Sequence, residues 1–148
     1  RRPAFALALR TAQQALLNAE NPVVPLRSYV GAAAEIFPLD DGDQDDVDCP
    51  AGMDPEKTEA FAVVGDSMRP IEPGSRIFAE AVPVTDEATF INRLCVVDLP
   101  NGKRLLKQVR RGYKDRRYNL ISTNADPIED QRIVGIGVVG EIRAPKGW

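Results

Sequence analysis

Ser67 and Lys107, forty residues apart, have the types and settings that suit covalent chemistry. Ser67 stands in Gly65-Asp66-Ser67-Met68-Arg69-Pro70, where the apolar run Ala60–Val64 stops at a glycine. A hydroxyl at such a corner reads either as plain turn chemistry or as a nucleophile held out from the end of a strand. A nucleophilic serine needs a base. The chain has no histidine, which removes every Ser-His-Asp and Cys-His arrangement, so a nucleophile must find another base; a lysine in that role would make the serine–lysine variant. A lysine is a poor base while protonated: neutralising one at pH 7 from a reference pKa near 10.4 costs about 4.6 kcal/mol. Burial in apolar surroundings can supply most of that.

Strand alternation tests whether Lys107 is placed for this. In Lys103–Arg110, Leu105, Lys107 and Val109 share one face and Leu106, Gln108 and Arg110 the other. One reading turns Lys107 inward between two apolar neighbours; the other turns Leu106 inward and leaves Lys107 in water. Alternation leaves both open. Lys103 has the same parity as Lys107 but lies beside the Asn101-Gly102 turn, and is the reserve candidate.

The elements that must position these residues read as β from Thr58 onward. Strands are expected in Glu59–Gly65, Ser75–Val82, Arg93–Pro100, Lys103–Gly112, Tyr118–Thr123 and Arg132–Arg143. Asn101-Gly102 suggests a tight hairpin with positive φ at both residues. Upstream, residues 3–20 have helical apolar spacing, begin with Pro3 and stop at Asn21-Pro22. The expected organisation is a connecting helix over residues 1–21, an arm and acidic loop over 22–57, and a mainly β domain over 58–148. Six aspartates between Asp40 and Asp48 suggest a calcium loop, but Asp46 and Gly52 stand where that loop needs glycine and glutamate. A solvated, mobile loop is the expectation, with no metal and no cofactor.

Net charge is −3, which argues against a broad basic nucleic-acid face in this chain. The two cysteines, Cys49 and Cys95, form no disulfide framework and read as free thiols of a reducing compartment. No apolar run reaches the length of a membrane span, and Ala4–Leu9 is not flanked like a signal peptide. The expectation is a soluble, cytoplasmic chain.

Gly65–Pro70, followed by Pro73–Glu80 and then a lysine on a later strand, resembles the LexA, UmuD and phage-repressor family of self-cleaving proteins, and more distantly the type I signal peptidases. The resemblance spans about residues 24–143. It implies a LexA/signal-peptidase-like, mainly β fold with an extended N-terminal cleavage arm and a short N-terminal helix. It also implies a Ser67–Lys107 dyad, an oxyanion site from the backbone N–H groups of Asp66 and Ser67, and support of the motif by Gly65, Met68 and Pro70. Met68 is expected to pack beneath the motif, and Asp66 to cap the short turn after it. Signal peptidases carry a membrane anchor, which this chain does not show. The repressors carry their own cleavage site upstream. Tyr29–Glu35 stands where that site is usual and puts the bond at Ala32–Ala33, with Ala33 in place of the family's glycine; Ala51-Gly52 is the other candidate.

The implied role is the C-terminal dimerisation and self-cleavage domain of a LexA-like or phage-type repressor. Its operator contacts would come from an upstream helix-turn-helix domain, which a chain starting Arg1-Arg2-Pro3 suggests is missing here. The implied partners are a second copy, operator DNA, and a RecA filament or antirepressor as trigger, with no membrane. The C-terminal Gly135–Trp148 resembles the region that pairs dimers. The alternatives are a non-cleaving, pseudo-peptidase dimerisation and effector-binding module, and a UmuD-like accessory protein.

Overall fold

The computed structural model describes residues 22–145; the helix expected over residues 3–20 lies outside them. Ten strands follow in order: β1 (Val23–Val30), β2 (Glu35–Pro38), β3 (Asp45–Asp48), β4 (Thr58–Val63), β5 (Arg76–Val82), β6 (Leu94–Asp98), β7 (Arg104–Arg111), β8 (Tyr118–Ser122), β9 (Ala125–Gln131) and β10 (Gly135–Arg143). A single helical turn, α1 (Glu87–Phe90), separates β5 from β6.

The strands form one sheet in the order β2-β1-β4-β5-β10-β6-β7-β8-β9, and a pairing of β2 with β7 closes seven of them into a barrel. β3 hangs on β1, and the β8–β9 hairpin continues outward from β7. Neighbours pair antiparallel except β1 and β4, which run parallel. The fold is therefore mainly β, as expected. Its arm is not a loose extension: β1, β2 and β3 all enter the sheet.

Burial follows the chemistry of each strand. In β1, Val24, Leu26, Ser28 and Val30 alternate inward with less buried residues, the period-2 pattern of a half-covered strand. In the centre, Ile77-Phe78-Ala79 of β5 and Cys95-Val96-Val97 of β6 are buried on both faces. Continuous apolar runs are what doubly covered strands require. Both faces of β7 are covered too. Leu105 and Val109 join a cluster with Cys95, Val97, Leu120 and Ile136. Leu106 packs with Val30, Ala34, Ile36, Phe61 and Val63 on the other side.

Two local expectations are corrected. The acidic segment is not a free loop, because Asp45–Asp48 pair antiparallel with Leu26–Val23. Val47, buried among Val24, Leu26, Ala60 and Phe78, anchors that pairing while the aspartates face out. The β6–β7 connection is not a two-residue hairpin either. The Leu99 N–H donates to the Lys103 carbonyl across a longer loop, and only Gly102 of the Asn-Gly pair takes positive φ.

β7 places the site. Its outer edge pairs with β2 at Arg104 and Leu105, then with β8 from Gln108 to Arg111. Lys107 lies where one partner has ended and the other has just begun. The turn Ala32–Ala34, between β1 and β2, and the segment after β4 converge on that gap.

Candidate active site

β4 ends at Val63, and the chain turns through Gly65, whose φ of 77° favours a residue with no Cβ. The loop returns to β5 through hydrogen bonds from Val63 N–H to the Ser75 carbonyl and from Gly74 N–H to the Val63 carbonyl. Stitching both ends of the loop fixes the place of Ser67. Met68 and Ile71 pack their side chains on the Val30–Leu106 cluster beneath it, the support expected of Met68. Asp66 does not cap the turn through its side chain. Its carboxylate instead pairs with the Arg69 guanidinium at 3.0 Å, and Arg69 also holds Glu72. The Asp66 and Ser67 N–H groups, the expected oxyanion donors, make no hydrogen bond among the described residues.

Lys107 is only 2% exposed. Its register neighbour on β6 is Cys95, also fully buried, and Leu105 and Val109 flank it along its own strand. The inward reading of its parity holds, and Lys103 is exposed at the loop. Burial lowers the Lys107 pKa from the ordinary lysine value, because an ammonium loses hydration there with no carboxylate in return. The neighbouring Cys95 thiol is pushed up to about 12 by burial and stays neutral beside it.

Ser67 and Lys107 do not hydrogen-bond to each other. The Ser67 hydroxyl donates to the Gly31 carbonyl at 2.8 Å, and the Lys107 ammonium donates to Ser122 Oγ at 3.0 Å. A cavity of about 120 Å³ has Ser67, Met68, Ala33, Ala34, Ser122 and Asn124 among its walls, so Lys107 meets it through its partner Ser122. The Asn124 side chain donates to the backbone carbonyls of Ser67 and Arg69, at 3.1 and 3.0 Å. Neither Ser122 nor Asn124 was singled out from the sequence. A short polar turn between two strands carries no signal of its own; only the fold brings it over the serine.

The arm crosses this cavity at Ala32–Ala34. Ala33 and Ala34 both take positive φ, 59° and 61°, a region that costs an L-residue roughly 1–2 kcal/mol. The carbonyl that meets Ser67 belongs to Gly31, one residue before the carbonyl of the expected Ala32–Ala33 bond. Ala51 and Gly52 lie in the turn after β3 and do not line the cavity. An Ala33→Gly substitution relieves the left-handed strain but adds unfolded-state entropy worth ~0.4–1 kcal/mol. The net expectation in a Ser67→Ala background is a gain of about 0.5 kcal/mol, read from urea unfolding. A clear loss would show that the bend is not where the strain lies.

Among the described residues, no helix is long and apolar enough to cross a membrane. No curated protein and no solved structure matched the chain. A family model described as Peptidase S24-like matches residues 12–143. Together with the closed β fold around Ser67 and Lys107, that match places the chain in the Peptidase S24-like family, a family of serine peptidase-like domains.

Proposed function

We propose that this domain is a latent self-cleaving serine peptidase whose substrate is its own arm. The observation that carries the reading is Lys107: a lysine almost wholly buried, without a counter-charge, its amine on a serine that walls the Ser67 cavity. Such a placement destabilises the ammonium and favours the neutral amine, the state a general base requires. In the proposed reaction Ser67 Oγ adds to the carbonyl carbon of Ala32 and its proton passes to Lys107. The oxyanion takes the free Asp66 and Ser67 N–H groups. The C–N bond to Ala33 breaks, and Lys107 protonates the leaving amine. Water then attacks the Ser67 ester, giving its proton to Lys107; the ester C–O bond breaks, Lys107 passes that proton to Ser67 Oγ, and the acid product leaves with Ser67 and the neutral lysine restored.

Severing the arm after residue 32 breaks the covalent link between β1, with everything before it, and the rest of the β domain, leaving β1 held by its strand pairing alone. In a repressor built from a DNA-binding unit and a dimerising C-terminal domain, that cut removes the linkage that lets two half-sites be bound together. The reading therefore extends to a LexA-like or phage-type repressor that dimerises through this domain and is relieved by a filament or antirepressor trigger.

A second reading, a dimerising module that never cuts, draws on one observation. The Ser67 hydroxyl is spent on the Gly31 carbonyl rather than directed at Lys107. Incubating the chain at rising pH and following its intact mass decides between them. Fragments divided after Ala32 support the proposal. Division after Gly31 keeps the mechanism and moves the bond by one residue. A single unchanged mass at every pH, with the fold intact, leaves the second reading.

A further inference from the structure

We propose that the β8–β9 turn is a clamp that aligns the two halves of the site, Ser122 aiming the Lys107 amine and Asn124 fixing the loop that carries Ser67. The proposal rests on the reading that Ser67 and Lys107 act together, and it names the positioning residues of that pair.

The geometry is specific. Lys107 and Ser67 sit on different elements, β7 and the β4–β5 loop, with no hydrogen bond between them. Both are tied instead to one three-residue segment. Ser122 closes β8 and lies on the same face as Leu120, the face toward which Lys107 points. Its Oγ receives the Lys107 amine. Two residues on, Asn124 gives its amide N–H groups to the Ser67 and Arg69 carbonyls. Each contact serves a different need. A lysine has four rotatable side-chain bonds, and a hydrogen bond at its tip selects the rotamer that brings the amine to Ser122, a wall of the cavity. The serine loop is exposed on its outer side at Val64–Asp66, so two bonds to its backbone hold its height over the arm. Misplacement of a reacting group by about 1 Å can cost ~10²-fold in rate.

The two contacts predict different signatures. Ser122 accepts from the ammonium, so Ser122→Ala removes support from the charged form and lets the amine wander. Its plateau rate of self-cleavage should fall about 10- to 100-fold, in line with misplacement. The midpoint of its rate–pH curve should move to lower pH, and Ser122→Thr should restore both. Asn124→Ala should lower the plateau by a similar factor and leave the midpoint in place. A Ser122→Ala curve with its midpoint and plateau unchanged overturns the first half; an Asn124→Ala plateau equal to that of the parent overturns the second.

Two further measurements, made in Ser67→Ala chain, do not depend on cleavage. The Lys107 side-chain titration should shift downward in Ser122→Ala, and amide exchange across Ser67–Ile71 should quicken in Asn124→Ala. If the parent chain never cuts itself yet both shifts appear, the clamp stands and the peptidase reading falls. If neither shift appears, the clamp falls whatever the parent does.

Discussion

Self-cleavage is expected to vanish in Ser67→Ala, and to drop by about 10²–10⁴-fold at neutral pH in Lys107→Met, the range a positioned general base contributes. Methionine is the informative replacement. Lys107 is among the largest fully buried side chains, and truncation to alanine would open a cavity costing ~2–5 kcal/mol, confusing lost chemistry with lost packing. Methionine keeps an unbranched chain in the same space without the amine. The stability change has a definite sign. Burial depresses the folded-state pKa of Lys107. Between that value and the unfolded one near 10.4, the unfolded chain holds more protons, so the parent gains stability as pH rises through the window. Lys107→Met should therefore be more stable than the parent at neutral pH, with the advantage fading toward pH ~10.4. A variant more stable and inactive separates function from folding; one less stable at neutral pH contradicts the placement of the lysine.

The rate of self-cleavage should climb about tenfold per pH unit while Lys107 is mostly protonated, since only the neutral amine accepts the serine proton. Because burial lowers Lys107, levelling comes below the ordinary lysine range near ~10.4. Two other buried groups stay out of this window. Burial pushes Cys95 up to about 12, and burial with the hydrogen bond to Glu87 pushes Tyr118 up to about 12 as well. A rate that is flat from neutral to alkaline pH would remove Lys107 from the role of base.

How far these residues were legible in advance differs by kind. The strands β4, β5, β6, β7, β8 and β10 are visible because β-branched and apolar runs between turn residues have few other uses. β9 is not: Ala125–Gln131 is mostly polar, contains Pro127, and lies at the sheet's edge, where Ile128 alone packs against the core. β3 hides for a similar reason, with Val47 its one buried residue among aspartates. Lys107 marks the limit of alternation. Leu105, Leu106 and Lys107 are all buried, so a strand covered on both faces has no outward parity to exclude. The motif resemblance, not the period, chose it. The bend at Ala33–Ala34, and the contact of Ser67 with Gly31 rather than its neighbour, depend on how β1 and β2 close the barrel against β7. That is a long-range pairing with no local trace.

The central claim is that Lys107 is the base for Ser67, and a direct titration of the lysine side chains by NMR tests it. The chain has five lysines, few enough to resolve, and Ser67→Ala keeps the sample whole. The account predicts one lysine titrating below the ordinary range. Its signal should be absent from a Ser67→Ala, Lys107→Met chain, and its midpoint should match that of the parent's rate–pH curve. Five lysines all titrating near ~10.4, or a lowered Lys107 whose midpoint bears no relation to the rate, would contradict it.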